Sequence, residues 1–270
     1  MATVVLWHFP ISHFNEKARW ALDFKRVPHV RRALTIDYLP RALWATGRPT
    51  LPILFLEGRA IGDSTRIIEA LERFRPDPPL YPGDEAARRR ALALEDFFDE
   101  ELGHPLRTAM LGPLFSDDPD AVVNALTTGM GDDAWRRRVR SIFPVFRAFY
   151  KLRHKINPAS MAVAPAKVRA ALDRIAAELQ PSGYLVGDQF SVADLTAASL
   201  FSPLVLPPEF PYPPSALPPP SLQAFRHSLA SHPAFQWVAE MYRRHRGISS
   251  EIAAAATVPT QSTIVPPQPG

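Results

Sequence analysis

Ser12 and His13 are the side chains best placed to do chemistry. They stand where an apolar run over residues 4–7 stops at a polar turn and a helical pattern begins near Phe14. The first amides of a helix lack internal partners, and the aligned peptide dipoles leave partial positive charge there. A hydroxyl at such a point donates to an anion while the helix end stabilises it. Without a ligand the same serine is an ordinary N-cap. A second polar pair, Ser191 and Asp194, has the three-residue spacing of a capping box, with Phe190 and Leu195 as its hydrophobic staple. That pair fixes a helix start.

The pattern around Ser12 predicts a strand over 3–8 and a helix over 14–25 with Phe14, Ala18, Ala21 and Leu22 inward. A second strand is expected near 32–36, a short helix over 39–45, and a hairpin of strands 52–57 and 59–61 turning at Glu57-Gly58. Asp63 or Ser64 caps a helix ending near Phe74. The order is βαβ then ββα. A proline-rich break follows at 75–82, and beyond it the apolar period is helical. Stripes run through Ala91, Leu94, Phe98 and Leu102, through Trp135, Val139, Ile142, Phe146 and Phe149, and through Val168, Leu172, Ile175 and Leu179. Residues 112–133 read as a loop with a short helix, and 204–220 as proline-rich coil before a helix over 225–246. The expected division is a first domain at 1–78, a linker at 79–85, an all-α domain at 86–249 and a disordered tail at 250–270.

Composition narrows the chemistry. The 270 residues contain no cysteine, which excludes disulfides, cysteine-ligated zinc and a protein thiol nucleophile. Any reacting sulfur must arrive on a substrate. Net charge is +4. Residues 1–80 hold 12 Lys/Arg against 8 Asp/Glu, so the surplus lies around Ser12, where it favours a small anion. The arginine runs 88–90 and 136–138 fall on amphipathic helices and read as solvated faces. No nucleic-acid motif, metal-ligand spacing, signal peptide or apolar span of membrane length appears, so no nucleic acid, metal or membrane is expected, and a cytoplasmic location is.

Four segments together resemble the cytosolic glutathione transferase superfamily, of the serine type. In SHFNEKAR (12–19), the serine stands seven residues before Arg19. TGRPTLP (46–52) is similar to the segment whose last proline is cis in that fold. GDSTRII (62–68) is similar to the acid-serine turn opening helix three, and GYLVGDQFSVAD (183–194) to the capping segment of the second domain. The resemblance spans residues 3–247. It implies a thioredoxin-like α/β domain followed by a helical bundle, glutathione as co-substrate and a homodimer. In it Ser12 donates to the glutathione sulfur, with His13 as a lesser candidate. Leu51, before a cis Pro52, offers its main chain to the peptide, and Asp63 and Ser64 take the γ-glutamyl ammonium and carboxylate. Arg48, or less favourably Arg41, pairs with the other carboxylate. Phe9, Phe14, Leu106 and Met110 are candidate walls for a small hydrophobic electrophile. The implied reaction is thiolate attack on that electrophile, with ether cleavage, dehalogenation or a silent interaction module as alternatives. Absence of cysteine rules out members that reduce through a protein thiol.

Overall fold

In the computed structural model, which describes residues 3–127, 133–213 and 217–253, strands β1 (Val4–His8), β2 (His29–Ala33), β3 (Ile53–Leu56) and β4 (Arg59–Gly62) form one sheet in the order β2-β1-β3-β4. β1 runs parallel to β2, with Val4 opposite His29, and antiparallel to β3. The β3–β4 turn places Glu57 and Gly58 at φ +50° and +78°, the left-handed pair that a two-residue hairpin requires. Between the strands come α1 (His13–Phe24) and α2 (Tyr38–Thr46), and α3 (Ser64–Phe74) follows β4. The second strand thus lies three residues earlier than its apolar pattern suggested, because its register is set by pairing with β1.

The remaining chain is helical: α4 (Glu85–Phe98), a π-helical turn (Asp99–Gly103), α5 (His104–Asp117), α6 (Pro119–Thr127), α7 (Asp133–Arg153), α8 (Pro158–Glu178), α9 (Val192–Val205), α10 (Pro220–Leu229) and α11 (Pro233–His245). The region expected to loop, 112–133, is mostly helix. α5 continues through Pro113, and Asp118 then accepts from the Ala121 amide to start α6. Residues 128–132 lie outside the described residues. In α7 the apolar stripe is offset from the one expected. Val139 and Phe143 are buried, whereas Ile142 and Phe149 are about 45% exposed. The Ser191–Asp194 box is present: Asp194 accepts from the amides of Ser191 at 2.9 Å and Leu185 at 2.8 Å. Residues 207–210 form a turn, and Ser250–Ile252 hydrogen-bond to His29, so ordered chain extends past the expected start of the tail; 254–270 lie outside the described residues. No helix among the described residues is long and apolar enough to cross a membrane.

α1 is the element that joins the two halves. One side packs on the sheet and α3, and the other meets α9, whose residues are apolar or small around the whole helix. Burial on both sides encloses Glu16, Lys17, Arg19 and Asp23, each under 5% exposed. Enclosed charges must be paired, and here the partners of Glu16, Arg19 and Asp23 come from α1 itself, from β2 and from the chain after α11. Glu16 takes Arg19 Nε at 2.8 Å and Arg246 Nε at 2.6 Å; Asp23 takes Arg246 Nη1 at 2.7 Å and Arg31 Nη2 at 2.6 Å. Removing one partner of a buried pair leaves an uncompensated charge and costs about 3–5 kcal/mol. Arg246→Met is therefore expected to destabilise the chain by about that amount in denaturant titration; a loss under about 1 kcal/mol would show that the network does not tie α11 to α1.

Candidate functional site

Ser12 is the N-cap of α1, extended at φ −84° and ψ 126°, with its carbonyl accepting from the Glu16 amide at 2.9 Å. Its hydroxyl makes no cap bond and no other hydrogen bond among the described residues, and the residue is half-buried. The hydroxyl is thus a free donor beside the unpaired amides of a helix end.

Arg19 fixes the approach to Ser12. Two turns inside α1, it donates from Nη1 to the Phe9 carbonyl and from Nη2 to the Pro10 carbonyl, both at 3.0 Å. Nη1 also lies 2.9 Å from His8 Nδ1. A guanidinium has no acceptor, so His8 accepts there; burial and the Arg19 charge hold its pKa well below the usual histidine value. Asn15 closes the loop by accepting from the Phe9 amide at 3.1 Å.

The other candidates divide. His13 is buried and its Nε2 donates to the Gly103 carbonyl at 2.9 Å, so the ring is committed away from the site. Burial, with the Arg107 charge, depresses its pKa to about 3. Phe14 packs against Gly103, where an added Cβ would lie 2.4 Å from its ring. Leu106 is wholly buried in the main core, whereas Met110 is half-buried at its edge. Phe9 is half-buried with its ring 4.8 Å from Tyr38.

Leu51–Pro52 is cis, Pro52 is buried, and no hydrogen bond among the described residues occupies the Leu51 amide or carbonyl. Asp63, at φ +80°, caps α3 by accepting from the amides of Thr65 at 3.0 Å and Arg66 at 3.3 Å. Ser64 is buried, its hydroxyl bonded to no described residue. Arg48 is exposed and its guanidinium has no partner among the described residues, whereas Arg41 is paired with Asp37 at 3.1 Å.

Two groups had no sequence signal, since their members are scattered along the chain. Next to Ser64, Thr65 Oγ1 lies within 3.0 Å of Lys17 Nζ, Glu95 Oε1 and Asp99 Oδ2. Lys17 pairs with Glu95 at 2.8 Å and Asp99 at 2.7 Å, yet Glu95 Oε2 and Asp99 Oδ1 are buried without a partner. Two carboxylates against one ammonium leave this pole net negative, and burial raises the Glu95 pKa. The second group is Arg107, Tyr150, Arg153 and His154, with Arg107 Nη1 3.0 Å from His154 Nδ1 and the Tyr150 ring 4.2 Å from that of His154. No cluster of three metal-ligating side chains occurs among the described residues.

The chain matches the glutathione S-transferase N-terminal domain family over residues 6–79 and the C-terminal domain family over 133–226. A curated relative, FtsZ-localized protein A of Caulobacter vibrioides, is 26% identical over 111 residues; the match takes in 39% of this chain and spans about half, 49%, of that protein. Among solved structures, β-etherase LigF from Sphingobium sp. strain SYK-6 is 20% identical with TM-score 0.55, covering 88% of this chain and 99% of that one. A glutathione S-transferase from Methylobacterium radiotolerans in complex with glutathione sulfonate is also 20% identical, with TM-score 0.53 and coverage of 96% and 100%. At that identity the structural likeness is one of fold.

The committed hydrogen bond of His13 makes a prediction independent of any ligand. A folded pKa of about 3 lies below the unfolded value near 6.5. The stability this contributes is full above pH ~6.5 and is lost as pH falls toward 3. In NMR pH titration the His13 ring signals should stay unshifted between pH 5 and 8; an inflection near 6.5 would contradict the buried bond to Gly103.

Proposed function

The chain belongs to the glutathione S-transferase superfamily, and we propose on that footing that it binds glutathione and activates its thiol through Ser12. What supports this most is the free Ser12 hydroxyl at the N-terminus of α1. A thiol of pKa ~8.5 is mostly protonated at neutral pH. A donated hydrogen bond and the positive helix end both favour the thiolate. The thiolate then attacks an electrophilic carbon: an S–C bond forms and the leaving group departs with its electron pair.

In this reading the γ-glutamyl carboxylate sits on the Ser64 hydroxyl and the first amides of α3, where the helix end favours an anion. The γ-glutamyl ammonium faces the Asp63 carboxylate. Leu51 pairs its main chain with the cysteinyl residue as an added strand does, and Arg48 remains a candidate for the glycine carboxylate. We take residues 1–78 as the glutathione domain and 86–249 as the helical one, in a cytoplasmic homodimer. Whether conjugation, ether cleavage or dehalogenation follows depends on the electrophile's leaving group, because the activated sulfur is common to all three.

A hydrogen bond to a charged group contributes about 1.5–3 kcal/mol, or roughly 10- to 100-fold in rate. Ser12→Ala should lower kcat/KM for conjugating 1-chloro-2,4-dinitrobenzene by that factor while the calorimetric Kd for glutathione changes less than about threefold. An unchanged kcat/KM would remove Ser12 from the reaction.

The similarity to a protein named for its localisation with FtsZ favours a second reading, a module that keeps the fold and acts by contact. Retention on immobilised glutathione separates the two: the module passes through the column folded, whereas the transferase is held and eluted by free glutathione.

A further inference from the structure

Arg107 and Arg153 belong to a set of donors with no carboxylate partner among the described residues. Arg107, on α5, lies with Cζ 5.3 Å over the Phe14 ring and directs Nη1 to His154 Nδ1 at 3.0 Å. Arg153, the last residue of α7, donates from Nη2 to the Pro49 carbonyl at 3.2 Å, and its Nε is buried with no partner. Neither guanidinium has a carboxylate within 4.0 Å among the described residues. Two phenols complete the group. Tyr38 is only 3% exposed, and the Tyr150 ring lies 4.2 Å from that of His154. No described residue accepts from either hydroxyl. Tyr38 and Tyr150 share Phe9 and Phe146 as neighbours, with the Phe9 ring 4.8 Å from Tyr38 and the Phe146 ring 5.6 Å from Tyr150.

The charge balance is one-sided. Arginine does not lose its proton in a protein. His154 is neutral, its pKa pushed down to about 3 by burial and both guanidiniums, and burial lifts Tyr38 to about 12. The set therefore carries two positive charges, two free O–H donors and no negative partner. Partly buried charge without a counterion is costly, and a planar fork of N–H donors matches a carboxylate. The set also flanks the Ser12 loop, since Phe9 packs on Tyr38 and Phe14 lies under Arg107.

We propose that Arg107, Arg153, Tyr38 and Tyr150 form a binding site for a carboxylate beside the Ser12 loop. Arg107 and Tyr150 belong to helices α5 and α7, and Arg153 ties α7 to the loop ahead of Pro52. The carboxylate belongs to an acidic electrophile; this rests on the glutathione reading only for the electrophile's fate.

Calorimetry on the full chain tests it with 3-nitrobenzoate against 3-nitrobenzamide, with glutathione titrated separately. Arg107→Gln, Arg153→Gln and Tyr150→Phe are compared with wild type, each checked for an unaltered melting temperature. For an acidic electrophile, wild type should bind nitrobenzoate at least tenfold tighter than the amide, and Arg107→Gln and Tyr150→Phe should erase the difference. Arg153→Gln should weaken nitrobenzoate binding while leaving the amide unchanged. Equal binding of benzoate and amide in wild type, or a preference for benzoate that none of the three variants weakens, would overturn the site. Nitrobenzoate bound selectively by a chain that ignores glutathione would leave this site standing and remove the thiol reading.

Discussion

Everything near Ser12 depends on a guanidinium buried inside the first helix. Arg19 takes the carbonyls of Phe9 and Pro10, so the loop ahead of Ser12 is held by charge-assisted bonds rather than by its own turn. Burying that cation requires Glu16, and Glu16 is shared with Arg246, which also neutralises Asp23. The loop, the helix and the end of the chain are therefore one electrostatic unit. The loop that presents the hydroxyl is thus backed by the packing of α1 against the rest of the fold.

The same helix reaches two groups of opposite charge. Its Lys17 stands against the carboxylates of Glu95 and Asp99, and its Phe14 lies under Arg107, which like Arg153 has no carboxylate partner among the described residues. Both groups are assembled from residues far apart in sequence, so each depends on how the helical half packs around α1.

What could be read from the sequence was what short-range rules control. The βαβ–ββα order, the Ser12 junction, the Glu57-Gly58 turn and the boxes at Asp63 and Ser191 all depend on residues within a few positions of one another. Helix α5 running through Pro113 was not legible, because packing of the long rod against α8 outweighs a local breaker. His13 stood as a lesser candidate beside Ser12, and its hydrogen bond was not legible because its partner, the Gly103 carbonyl, lies 90 residues away. Tyr150 and Arg153 carried no signal at all: their place beside Ser12 depends on how α7 folds back over the first domain.

The most direct measurement is the ultraviolet absorbance of bound glutathione thiolate followed through a pH titration. The account predicts an apparent thiol pKa clearly below the free value of ~8.5 in wild type, returning to about that value in Ser12→Ala. A bound thiol that titrates like free glutathione in wild type, or identically in both proteins, would contradict it.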